Sequence, residues 1–144
     1  MTETMAKTSR QIQGDIYRLL RESSLYMQTG GEVYRSGLRP RDSRQEDIVV
    51  AFTAGIPDQV QTGVVTVNIY VPDIDPYDNG VWVEDAERTE QIELLAQQWA
   101  DGLMSGSYGY DFSLRQTIST YEEADTRQHF VSVRIGYRIT ELNE

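Results

Sequence analysis

Val60-Gln61-Thr62-Gly63-Val64-Val65-Thr66-Val67-Asn68-Ile69-Tyr70-Val71 is the stretch from which the fold of this 144-residue chain can be read. Val65, Val67, Ile69 and Val71 alternate with Val64, Thr66, Asn68 and Tyr70. A period of two with β-branched residues on the apolar phase is the pattern of a strand, and it assigns the first set to the core. Twelve residues exceed the usual strand length, so Gly63 is the expected site of a bulge or bend.

Working back from this strand, Ile48-Val49-Val50-Ala51-Phe52-Thr53 is a β-branched run expected to be buried on both faces. Gly55-Ile56-Pro57-Asp58 punctuates it, and the polar loop Arg41-Asp42-Ser43-Arg44-Gln45 precedes it. Val33 to Leu38 reads as a short strand broken by Gly37 and stopped before Pro40. Further upstream, Ile12, Ile16, Leu19 and Leu20 recur at helical spacing, with Thr8 or Ser9 as N-cap. Gly14 sits inside this pattern at a cost of about 1 kcal/mol against alanine, so packing rather than propensity must hold the helix. It should end before Thr29-Gly30-Gly31. Residues 1–8 read as a flexible arm and 9–144 as one domain.

Downstream, Pro72 to Gly80 is a loop rich in Pro, Asp, Asn and Gly. A second helix then starts at Glu84 or Asp85, with acids in its first turn where the helix dipole favours them. Its stripe is Ile92, Leu95, Ala96, Trp99 and Leu103, and Gly102 with Ser105-Gly106 should end it. The last quarter reads as a hairpin. Phe112, Leu114 and Ile118 lie in phase on one strand, and Val131, Val133, Ile135, Tyr137 and Ile139 on the other. A polar connection spans about Tyr121 to Gln128. The order α-β-β-β-α-β-β defines an α+β fold, a mainly antiparallel sheet of four to five strands covered on one face by two helices.

Composition narrows the function. Thirteen basic against 23 acidic residues give a net charge of −10. That argues against a surface gripping nucleic-acid phosphates. No stretch approaches the ~20 apolar residues of a membrane span, and residues 1–7 lack the apolar region of a secretory signal. With no cysteine and one histidine, thiolate chemistry and a His-rich metal site fall away.

Tests for chemistry mostly come back empty. His129 stands at the start of the last strand with no Gly-flanked serine elbow in the chain, and reads as a hydrogen-bonded or solvated strand-end residue. Gly106-Ser107-Tyr108-Gly109 lacks a lysine and follows a helix, so it is a connector and not a phosphate loop. Counted as a calcium loop from Asp73, the chain offers Asp75 at position 3 and Glu84 at position 12. It places Tyr77 at position 5 and Asp78 where glycine belongs. A solvated acidic turn or an interface loop fits better. No spacing singles out a carboxylate pair for glycosidase-type chemistry. No catalytic, metal or cofactor residue is assigned, and the chain reads as non-enzymatic.

Nine tyrosines suit either an interface or half-buried strands. Trp82, between Val81 and Val83, either staples the second helix to the core or forms a docking patch.

The element order and local patterns, over about residues 9–140, resemble the tail completion (tail terminator or head–tail joining) proteins of long-tailed bacteriophages. The residues that carry this are the helix around Ile12–Leu20, the strand ending Val65-Thr66-Val67-Asn68-Ile69-Tyr70-Val71 and the helix Ala86–Leu103. The last strand adds Asp125-Thr126-Arg127-Gln128-His129-Phe130-Val131-Ser132-Val133-Arg134-Ile135. The acidic loop at 73–80 is longer than the family leads one to expect. The resemblance implies a structural virion protein of the neck or tail end, without enzymatic activity or cofactor. Such proteins assemble as rings, commonly hexameric, between tail tube and head connector, with DNA at most passing through. The implied location is the virion, with host cytoplasm during assembly.

Two other classes stand beside it: an acidic decoy occupying a DNA-binding protein, and a small α+β ligand-binding domain or enzyme. The decoy needs a regular stripe of carboxylates, whereas along the sequence the acids fall in loops and helix starts. The residues expected at an interface are Asp75, Tyr77 and Trp82 in the 72–83 loop, and Glu122, Glu123 and Asp125 in the 121–128 turn. Strand edges near Val33–Leu38 and Phe112–Ile118 are further candidates.

Overall fold

In the computed structural model, which describes residues 6–58, 60–106 and 108–140, three α-helices accompany a six-stranded sheet. In chain order these are α1 (Ser9–Arg21), α2 (Ser24–Met27), β1 (Val33–Arg35), β2 (Ile48–Ile56), β3 (Thr62–Pro72), α3 (Ala86–Ser105), β4 (Tyr110–Leu114), β5 (Ser119–Glu123) and β6 (Gln128–Ile139). The fold is α+β, and every strand pairing is antiparallel except β1 with β2.

The strand order is β1-β2-β3-β6-β4, with β5 also paired to β6. Because β3 runs beside β6 over the whole of Gln128–Arg138, β4 and β5 must share the opposite edge of β6, end to end. The expectation of four to five strands is corrected here: one predicted hairpin arm is two strands. Leu114 faces Ile135 and Ser119 faces Ser132, so Arg115–Ile118 oppose only Val133 and Arg134. Two extra residues preserve the phase of a period-two pattern. Ile118 therefore still reaches the core, in step with Phe112 and Leu114.

Both long helices pack on the face carrying Val65, Val67, Ile69 and Val71, all fully buried as their alternation implies. Ile12, Ile16 and Leu20 of α1 and Ile92, Ala96 and Ala100 of α3 join them in one core with Val131, Val133 and Ile135. Thr8 caps α1 in a reciprocal box with Gln11. Asp85 caps α3 through Arg88 N. The α1 pattern breaks earlier than expected, at Glu22, because Ser23 caps the separate short helix α2.

Among the described residues no helix covers the other face, and this overturns the expectation that β2 is buried on both. Ile48 and Val50 are buried, Val49 and Ala51 only partly, and Ala54 to Ile56 are exposed. That face carries a ladder of rings, Tyr70, Phe130 and Tyr121, one from each of three neighbouring strands.

The bulge belongs to Thr53 in β2 and not to Gly63, since Phe52 pairs with Val65 and Ala54 with Val64. Gly63 serves close approach instead. A Cβ there would run into the Ala54 carbonyl and the Tyr137 hydroxyl. Of the predicted arm, residues 1–5 lie outside the described residues. Its remainder is anchored: Lys7 N donates to Gln61 Oε1 and Gln61 Nε2 to Lys7 O, both at 2.8 Å.

Candidate functional site

β2 and β6 begin, and β3 and β5 end, at the same end of the sheet, where α3 also starts. Three connectors meet there: residues 39–47, residues 73–85 and the 3-10 turn Ala124–Thr126 with Arg127. Asp75, Tyr77, Trp82, Glu122, Glu123 and Asp125 all lie at this end, so the structure gathers the residues expected at an interface. Their settings differ from one another.

The foundation is buried charge. The Asp47 carboxylate is fully buried and accepts from Arg39 Nε and Glu32 N at 2.9 Å each, and from Ser43 Oγ. Arg39 Nη2 donates onward to Gln128 Oε1 at 2.8 Å, and its guanidinium lies 4.0 Å from the centroid of the Tyr70 ring. Burial raises the Tyr70 pKa and the Glu123 charge adds to this, against an opposing pull from Arg39. This network fixes the 39–47 loop to the start of β6.

The 73–85 loop is held on three sides. Asp73 N donates to Arg127 O at 2.9 Å, and Ile74 and Val83 exchange both backbone hydrogen bonds at 2.9 Å. His129 Nδ1 donates to Asp73 Oδ1 at 2.7 Å, because an ionised carboxylate can only accept. Its Nε2 faces Glu84 Oε1 at 3.8 Å. This agrees with the reading of His129 as a hydrogen-bonded strand-end residue.

Asp75 turns inward to its own loop, accepting from Asn79 N at 3.1 Å and Gly80 N at 2.8 Å. Glu84 accepts from Thr89 Oγ1 at 2.6 Å. The three acids tested as calcium ligands are thus each directed at a different protein donor. Asp75 shapes the turn, while Tyr77 at its tip is 82% exposed.

Trp82 does not staple α3 to the core. It is 39% exposed, with the Arg127 and Arg44 guanidinium carbons 5.1 and 5.9 Å from its centroid. Arg44 Nη1 also donates to the carbonyls of Thr126 and Arg127, tying the loop at 39–47 to the turn beneath the ring. Arg127 adopts a left-handed φ of 55° to make this corner. Glu122 and Glu123 are corrected from turn to strand: they end β5, opposite His129 and Gln128. Only Asp125 of the three lies in the turn, which is shorter than the predicted 121–128 connection.

Ile74, Tyr77, Val81, Trp82 and Val83 are all exposed, giving five large apolar side chains within ten residues of one anchored loop. Around them stand Asp73, Asp75, Asp78, Glu84, Asp85 and Glu87, with no lysine or arginine between 73 and 87. These six acids fall within fifteen consecutive residues, and the fold brings Arg44, Arg127 and His129 up beside them. Arg44, Arg127, Arg39 and Asp47 were not foreseen as part of this site. Their contacts with the 73–85 loop, the turn and β6 cross long stretches of chain that no local spacing encodes.

The end of this α+β domain is thus exposed, apolar and braced by contacts within the chain. No protein-family model and no curated protein matches the chain. No helix among the described residues is long and apolar enough to cross a membrane.

Proposed function

We propose that this chain is a structural subunit that works by assembly: it joins copies of itself into a ring, commonly hexameric in the family it resembles. That ring would close or connect the tail tube of a long-tailed phage at the neck. The observation that carries the reading is the exposed loop of Ile74, Tyr77, Val81, Trp82 and Val83, braced by the Asp73–His129 hydrogen bond and the Ile74–Val83 bridge. A loop already held in its bound shape loses little entropy on docking, which favours a permanent assembly contact. The uncovered sheet face and the outer edges of β1, β4 and β5 offer further surface for neighbours.

Tail tube and head connector proteins would be the other partners. If the acidic end lines a channel, its carboxylates repel DNA phosphates and keep the passing genome from adhering. Purified protein examined by light scattering and electron microscopy should show a closed ring, alone or on tail-tube ends. A strict monomer that stays off tube ends overturns the reading.

The decoy class, in which carboxylates stand in for phosphates, would draw on the exposed Asp78 and Glu87, since Asp73, Asp75, Glu84 and Asp85 are engaged within the chain. Competition with DNA for a basic DNA-binding protein, by a protein that remains monomeric, is the outcome that would select it.

A further inference from the structure

The same charge bookkeeping that makes one end acidic leaves a cationic cleft on α1. Lys7, Arg10, Arg18 and Arg35 surround a hollow of about 430 Å³ that Gly14 also lines. Its one carboxylate, Asp15, is already engaged by Lys7 at 2.7 Å, by Arg18 and by the Tyr110 hydroxyl. Arg10 donates to Gln13 and Arg35 lies over the Tyr17 ring, and among the described residues neither has a carboxylate partner. In a chain of net charge −10 this is a concentrated excess of unneutralised cations.

Gly14 lets Arg35 lie close over α1: a Cβ there would stand 3.1 Å from Arg35 Nη2 and push that guanidinium aside by a few tenths of an ångström.

We infer that this cleft receives the 73–87 acidic loop of a second copy of the chain, with Tyr77 and Asp78 at its tip entering between Arg10 and Arg35. The proposal rests on the self-assembly reading and names its contact. Charge complementarity selects the occupant: Asp78 and Glu87, exposed on the loop and at the start of α3, on one side, and Arg10 and Arg35, with no carboxylate partner among the described residues, on the other. The exposed Tyr77 ring adds a surface on which guanidinium groups stack.

Position supports it as well. The loop leaves the end of β3, whereas the cleft lies between α1 and Arg35, the last residue of β1, and is anchored through Lys7 to Gln61, just before β3 begins. The two surfaces are different and lie apart, so each copy offers one and accepts the other. Such a contact either propagates head-to-tail into a ring or filament or closes reciprocally about a two-fold axis, each loop entering the other copy's cleft.

The test is a charge exchange read by light scattering and mass photometry, with circular dichroism confirming the fold. Arg10→Glu with Arg35→Glu makes the cleft acidic, and Asp78→Arg with Glu87→Arg makes the loop basic. Each variant alone should assemble at least about tenfold more weakly than the natural chain, and their equimolar mixture should recover assembly. Assembly of the natural chain should likewise weaken as salt approaches roughly 1 M, where the Debye length falls to about 3 Å. Arg10→Glu alone, at an exposed helix position, serves if the double cleft variant does not fold.

Because the chain has no cysteine, Arg10→Cys with Asp78→Cys provides a direct positional readout. Oxidation should yield a ladder of cross-linked multimers, whereas a product that stops at a doubly linked dimer keeps the loop-to-cleft contact and overturns the ring. If the natural chain assembles but the variants assemble equally well, or the mixture fails to recover, the loop-to-cleft contact is wrong and self-assembly stands. If the natural chain is monomeric at every concentration in low salt, the self-assembly reading falls and this contact with it.

Discussion

The Tyr110 hydroxyl donates to Asp15 Oδ2 at 2.6 Å, tying the first residue of β4 to the middle of α1. Burial would raise the Asp15 pKa. Hydrogen bonds from Lys7 and Tyr110, with the charges of Lys7 and Arg18, outweigh it and hold the carboxyl below its ordinary value. A carboxyl depressed in the folded state contributes stability that is complete above its unfolded pKa of about 3.9, and that contribution is lost as pH falls through the folded value. Urea midpoints should therefore fall more steeply below pH about 4 for the natural chain than for Asp15→Asn. Tyr110→Phe should cost about 1.5–3 kcal/mol at neutral pH, the worth of a hydrogen bond to a charged acceptor.

The same tyrosine shapes the alkaline limb. Burial first, and the Asp15 hydrogen bond second, push its pKa well above the ordinary phenol range. The folded state keeps its proton while the unfolded chain releases it above pH about 10, so stability should decline from that pH upward. Tyr110→Phe should soften that decline in an equilibrium unfolding series.

Asp47 is the residue whose loss should be felt most. Its carboxylate is fully buried against Arg39, itself only 11% exposed. Asp47→Ala leaves a nearly buried guanidinium without its counter-charge, which costs about 3–5 kcal/mol. Thermal unfolding is the measurement, and a loss under about 1 kcal/mol would show that Arg39 finds water or another acceptor.

Gly63→Ala tests the close approach of β2, β3 and β6. The added methyl must displace the Ala54 carbonyl or the Tyr137 ring, and overpacking of this kind costs about 1–3 kcal/mol. Chemical denaturation should register that loss with an unchanged slope, because the surface exposed on unfolding hardly changes.

His129→Ala should loosen the acidic loop while leaving the core intact. Amide exchange at Ile74 and Val83, which bond each other, should accelerate, and exchange within β3 should not. Trp82→Ala, at an exposed ring, should shift stability by less than about 1 kcal/mol and yet weaken assembly, a separation expected of a docking residue.

Alternation and helical spacing by themselves determined which residues form the core. Val65, Val67, Ile69 and Val71 on one strand and Ile12, Ile16 and Leu20 on one helix face are buried because a fixed side-chain period leaves a strand or helix only one apolar side to hide. Even the interrupted edge beside β6 kept its phase, since Arg115–Ile118 add an even number of residues. The charge argued against a phosphate-gripping surface, and the single histidine and missing cysteines against a His-rich metal site and thiolate chemistry, before any folding was considered.

Tertiary structure decided what no local period carries: the bulge at Thr53, the one-sided cover of β2, and the meeting of three connectors around Trp82. Arg44 reaches Thr126 and Arg39 reaches Gln128 across more than eighty residues of chain. Such contacts depend on which strand ends share one end of the sheet. Strand order, set by the packing of the whole core, fixes that sharing, and with it the bracing of the 73–85 loop by Arg127 and His129.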